Sequence, residues 1–105
     1  RGLGRFDEAI AHYRRALELN PAASHAHVDL AALLEQLGRP AEALVHFETA
    51  TRQIPGDAGV WFALARCRHS LGDRGGAIEA LREVLRLAPD NAPARRLLRG
   101  LENAS

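Results

Sequence analysis

The side chains best suited to chemistry in this 105-residue sequence are five histidines, one cysteine and 14 arginines. Their spacing argues against catalysis. His25 and His27 are two positions apart, which on a helix puts them on different faces, so they do not readily share a metal. His12 and His46 are 34 positions apart, and equivalent positions on packed neighbouring elements predict a separation of about 9–10 Å. Ligand nitrogens sit about 2 Å from a shared ion, so no metal site is expected. Cys67 stands alone, which excludes an internal disulfide and reads as a small buried hydrophobe. No Ser/His/Asp arrangement, carboxylate pair in a defined cleft or glycine-rich phosphate loop stands out. Arg82, Arg86, Arg95, Arg96 and Arg99 gather basic charge towards the C-terminus. Nucleic-acid binding takes denser charge, with aromatics interleaved for single strands, and a solvated face is expected instead. No enzymatic activity and no cofactor are expected.

Composition points the same way. The net charge is +1, and every basic residue is arginine, so no global field favours nucleic acid or a membrane surface. Twenty residues are alanine and only five are aromatic, a balance suited to helices packed at close range. No run of 18 apolar residues exists, so no spanning helix is expected. With no signal peptide in the sequence, a cytoplasmic location is the expectation. The chain opens at Arg1-Gly2 rather than at a methionine, and it reads as a piece of a longer protein.

The elements that must position these residues recur. Leu3–Pro21 reads LGRFDEAIAHYRRALELNP, Leu37–Pro55 reads LGRPAEALVHFETATRQIP and Leu71–Pro89 reads LGDRGGAIEALREVLRLAP, with starts and ends 34 residues apart. A period of this length marks stacked units, each packing on its neighbours. Within Asp7–Leu19 the apolar residues Ala9, Ile10, Tyr13, Ala16 and Leu17 form one stripe of 3.6-residue period. Residues 1–5 read as a helix tail followed by a turn at Gly4. A second helix is expected from Ser24, its N-cap, to Leu37, with Val28, Leu30, Ala31, Leu33, Leu34 and Leu37 on its apolar side. Gly38 supplies the turn and Pro40 the first turn of the next helix. That helix carries Ala43, Leu44, Phe47 and Ala50. Asp57 caps Ala58–Leu71, with Trp61, Leu64, Ala65 and Cys67 to Leu71 inward. Asp73 caps the next helix, whose stripe is Ala77, Ile78, Leu81, Val84 and Leu85. Asn91 caps a last one ending near Glu102, before a frayed Asn103-Ala104-Ser105. The expectation is seven helical segments, the first a remnant, with no strand. Short loops make consecutive helices antiparallel neighbours.

These residues resemble the tetratricopeptide repeat, whose pattern asks for W-x2-L-G-x2-Y in a first helix, A-x3-F in a second and then P. Trp61-x2-Leu64-Ala65 and His27-x2-Leu30-Ala31-x2-Leu34 stand for the first element. Ala9-x3-Tyr13, Ala43-x3-Phe47 and Ala77-x3-Leu81, followed by Pro21, Pro55 and Pro89, stand for the second. Alanine at 31 and 65 in place of glycine still permits close approach, whereas Arg68 departs from the tyrosine of the pattern. The resemblance divides the chain into a partial repeat at 1–23, full repeats at 24–57 and 58–91, and a trailing capping helix at 92–105. It implies an all-α fold, a right-handed superhelix of antiparallel helix pairs, whose first helices line a concave groove that holds peptides or helices of other proteins.

Mapped onto this chain, the resemblance assigns the groove Val28, Asp29, Ala32 and Glu35 from one unit, Phe62, Arg66 and His69 from the next, and Arg96 from the trailing helix. Phe62, Arg66 and His69 fall at i, i+4 and i+7 and share a face. An aromatic beside an arginine and a histidine suits an acidic, partly apolar peptide. Two familiar grips of the family are not supported. At the later positions of the clamp for acidic chaperone tails, Asp29, Gly59 and Ala63 stand where Asn, Lys and Arg would. Where the sugar-transferase branch carries an asparagine ladder, Asp29, Ala63 and Leu97 stand. A protein-interaction scaffold is the expected function; the alternative is the substrate-docking segment of a larger enzyme such as a glycosyl- or sulfotransferase. The partner is expected to be another protein or peptide, with neither nucleic acid nor membrane. Self-association is expected through Ile10, Tyr13 and Leu17, an apolar strip at the N-terminal end.

Overall fold

The computed structural model describes residues 2–103 and the side chains of 5–103. Six helices follow one another: α1 (Gly2–Leu19), α2 (Ser24–Gln36), α3 (Pro40–Gln53), α4 (Ala58–Ser70), α5 (Arg74–Leu87) and α6 (Ala92–Asn103). There is no strand among the described residues. The strongest packing joins α2 with α3 and α4 with α5, and the remaining sequential neighbours pack more lightly. The result is two tight helix pairs, with α1 and α6 on either side.

Local chemistry sets the helix ends. Gly38 and Gly72 occupy the left-handed region, at φ 76° and 81°, where a Cβ would crowd the following carbonyl. Each turns one helix of a pair into the other. Pro40 opens α3, where its missing N–H leaves no intrahelical bond unmade. Asp57 Oδ1 accepts from the backbone N–H groups of Gly59 and Val60 at 2.9 and 3.3 Å, and Asp73 Oδ1 accepts from Gly76 at 2.9 Å. Asn91 Oδ1 accepts from Ala94 at 3.0 Å, and these three side chains satisfy helix N-termini as expected.

Several expectations need correction. Residues 2–5 do not form a tail and a turn, because α1 is continuous from Gly2 to Leu19. The described residues therefore form six helices, not seven. Ser24 is the first residue of α2 and caps nothing; its hydroxyl donates to Gln53 Oε1 at 3.0 Å. The inward side of α4 stops at Cys67, with His69, Ser70 and Leu71 exposed, because the helix gives way to the Gly72 turn. Ala104 and Ser105 of the expected frayed end lie outside the described residues, as does Arg1.

The core runs the length of the stack and is built from small and medium residues. Leu30, Ala31, Leu34, Ala43, Phe47, Leu64, Ala65, Ala77, Leu81 and Val84 are buried. Alanines at 31 and 65, both fully buried, let the helices of each pair approach closely, and the leucines beside them fill the space between.

Candidate functional site

Every second helix, α2, α4 and α6, presents a side chain row spaced by the 34-residue period. On α2, Val28 and Glu35 are half-buried and Asp29 and Ala32 exposed. On α4, Phe62 is half-buried and Arg66 and His69 are exposed; on α6, Arg96 is exposed. Val28 and Phe62 rest one side against the core cluster and leave the rest of their surface open. The row is thus two apolar rings or branches set among charges of both signs, acidic on α2 and basic on α4 and α6.

The row takes no part in the ion pairing of the described residues. Each ion pair among the described residues includes a residue of α1, α3 or α5: Arg14–Glu42, Arg15–Glu18, Arg39–Glu42, Arg68–Glu48, Arg82–Glu102 and Arg86–Glu83. Asp29, Arg66, His69 and Arg96 make none of these pairs. Their polar ends are exposed to solvent on the helices that carry them.

One cluster is not anticipated by the spacing argument. His12 was set against His46, but the ring that meets His46 is His27, Nδ1 to Nδ1 at 3.0 Å. Nε2 of His27 lies 3.0 Å from the Pro21 carbonyl oxygen, which can only accept, so this nitrogen carries a proton. That leaves Nδ1 of His27 as the acceptor, and His46 Nδ1–H donates to it. Burial, then His27 and Arg14, lower the pKa of His46, against an opposing pull from Glu42. The signal was present in the sequence. His27 stands one period before Trp61, at an inward position, and inward polar rings are bonded.

Trp61 repeats half of that arrangement. Its Nε1–H donates to the Pro55 carbonyl at 2.8 Å, the same six-residue reach that His27 makes to Pro21. In both pairs a ring on the first helix fastens the loop before it. Cys67 is buried and its thiol donates to the Pro40 carbonyl at 3.3 Å. Burial, with Glu35 and Glu48 nearby, pushes its pKa up to about 11. That is the chemistry of a packed side chain rather than a nucleophile. No group of three or more His, Cys, Asp or Glu among the described residues converges as metal ligands do. Among the described residues, no helix is long and apolar enough to cross a membrane.

Stacked antiparallel helix pairs, repeated at a fixed period around a continuous core, define a helical-repeat solenoid. The sequence profile of the tetratricopeptide repeat matches residues 1–67 and again 36–101, and the chain belongs to that family. Its fold is therefore a right-handed superhelix of antiparallel helix pairs. Among solved structures, that of MamA superposes with a TM-score of 0.88 at 22% identity, covering 98% of this chain and 56% of that one. The first tetratricopeptide domain of Spaghetti (RPAP3), bound to the HSP90 peptide SRMEEVD, gives 0.85 at 23% identity over 96% of this chain and 80% of that one. YrrB, described as having an unusual peptide-binding site, gives 0.80 at 26% identity over 93% of this chain and 50% of that one. The chain spans little more than half the length of MamA.

Proposed function

We propose that this chain is a scaffold that holds a peptide or helix of a partner protein along the row formed by α2, α4 and α6. The observation that carries this reading is the half-buried Phe62 ring set at i, i+4 and i+7 beside Arg66 and His69, both exposed and outside the ion pairs among the described residues. Two of the similar structures are peptide-binding by description, which supports a peptide as the class of ligand. The partner segment carries acidic groups for Arg66, His69 and Arg96 and an apolar side chain for Phe62. A basic group at its other end meets Asp29 and Glu35. The acidic-tail clamp does not transfer, because Asp29, Gly59 and Ala63 replace its polar and basic residues.

A displayed library of random peptides tests this. Selected sequences should be enriched in Asp or Glu flanking an apolar residue, and Arg66→Glu should weaken their binding about tenfold or more, as charge reversal at a contact does. Selection of peptides indifferent to Arg66→Glu, Arg96→Glu and Phe62→Ala together would sink the proposal.

A further inference from the structure

The corner where α1 passes into α2 is built again where α3 passes into α4, from different chemistry. At the first corner the Pro21 carbonyl accepts from His27 Nε2–H at 3.0 Å and from the Gln53 side-chain amide at 2.9 Å. Gln53 Oε1 in turn accepts from the Ser24 hydroxyl at 3.0 Å, and His46 closes the network on His27 Nδ1 at 3.0 Å. One period on, Pro55 takes the place of Pro21. Ala58, Trp61, Ala80 and Leu87 take the places of Ser24, His27, His46 and Gln53. The second carbonyl keeps its ring donor, Trp61 Nε1–H, but none of these four side chains ionises near neutral pH.

His27 has no lone pair to spare. Its Nε2 carries the proton given to Pro21 and its Nδ1 accepts from His46, so an added proton breaks one bond or the other. His46 can take a proton on Nε2, the nitrogen turned away from that bond, but the charge so made is badly placed. Burial lowers the pKa of His46 first, then His27 of α2 and Arg14 of α1, with Glu42 of α3 opposing. Arg14 already pairs with Glu42 at 3.5 Å, and Arg68 of α4 turns to Glu48 and the Gly76 carbonyl. The closed corner thus binds fewer protons than an open one in which both rings reach water. It loses ground as pH falls below the ordinary histidine value of about 6.5.

We infer that the α1–α2 corner is a proton-operated latch: acid releases Pro21 from His27 and loosens the end of α1, while the α3–α4 corner stays closed. The hydrogen-bonding members of the latch all lie within residues 21–53. Opening it does not strip α1 from the stack. Ile10, expected in a bare strip with Tyr13 and Leu17, is in fact buried, and the other two are half-buried. Apolar contact therefore keeps α1 seated while its C-terminal end is let go.

Backbone amides at equivalent places read the two corners side by side. Asn20, Ala23 and His27 donate to the carbonyls of Ala16, Asn20 and Ala23, and Ile54, Asp57 and Trp61 make the same three bonds one period on. Hydrogen exchange is followed by NMR at pH 7.5 and 5.5 and corrected for intrinsic rates. Protection of the first three should fall about tenfold, the factor that one extra proton supplies over the unit below 6.5. The second three should keep theirs. His27→Trp with His46→Ala copies the second corner and should abolish the pH effect. Equal loss at both corners would overturn the latch, by showing that acid unfolds the stack as a whole. Constant protection of the first three amides would overturn it too, as would an undiminished acid effect in the double variant. If that variant does not fold, the comparison of the two corners within the native chain decides alone. No ligand of the charged row enters the experiment, so the two proposals fail separately.

Discussion

Arg82 and Glu102 form an ion pair between α5 and α6 at 2.9 Å, and one period earlier Glu48 and Arg68 form the equivalent pair between α3 and α4 with the charges exchanged, at 3.6 Å. The two positions are tied to each other rather than to a particular sign. Opposite charges meet at both places, and either arrangement supplies them.

Glu102→Arg should therefore destabilise the α5–α6 contact, and Arg82→Glu in the same chain should restore it. Both residues are well exposed, so the effect of either single change should be about 1 kcal/mol or less. Urea midpoints of the two single variants and the double variant check this. A double variant no better than the worse single one would show that the pair is not coupled.

The histidine pair sets a pH dependence. The pKa of His46 is lowered by burial, then by His27 and Arg14, with Glu42 opposing, so the folded chain holds fewer protons than the unfolded chain as this group titrates. Stability from this source is complete above the ordinary histidine pKa of about 6.5 and is lost as pH falls through and below it. His46→Asn keeps a donor for His27 Nδ1 and removes the titration. Thermal melts from pH 8 to 5 should flatten in that variant, and an unchanged slope would assign the acid sensitivity elsewhere.

Two adjacent glycines at the start of α5 should respond in opposite ways. A Cβ at Gly75 meets nothing within 4 Å, so Gly75→Ala should stabilise by about 0.5–1 kcal/mol through lost unfolded-state freedom and better helix propensity. A Cβ at Gly76 would collide with the Asp73 carboxylate, the group that accepts from the Gly76 N–H. Displacing that cap should cost about 1 kcal/mol. Differential scanning calorimetry of the two variants reads the opposite signs directly.

Cys67 should resist alkylation in the folded chain. Its thiol is buried, bonded to the Pro40 carbonyl, and has its pKa pushed up to about 11, so the thiolate is scarce at neutral pH. Iodoacetamide labelling at pH 7.5 should be slow in buffer and rapid in denaturant. Rapid labelling of the native chain would place Cys67 at the surface.

How much of this was legible in the sequence follows from the range of each interaction. The turn at Gly38, the start of α3 at Pro40 and the caps at Asp57, Asp73 and Asn91 depend on backbone chemistry within a few residues, and the sequence showed them. Ser24 has the same chemistry as a cap, yet its hydroxyl goes to Gln53, 29 residues away, and no local rule sees that partner. His27 against His46 failed for a related reason: both were visible, but which helix face each occupied decided the pair. The candidate groove positions came from the period and the family pattern. That Arg68 is paired while Arg66 is not depends on Glu48 from another helix, which spacing along one helix cannot supply.

The bond from the Trp61 indole to the Pro55 carbonyl has an optical consequence. This is the chain's single tryptophan, and it is anchored where α4 leaves its loop, in the middle of the stack. Its emission therefore reports the release of α4 and is blind to fraying of α1 or α6, whereas circular dichroism counts every helix equally. In a linear array of nearest-neighbour contacts, the two signals should part company on heating. The ellipticity falls first, and the gap between the curves measures how much of the ladder comes undone before its centre does.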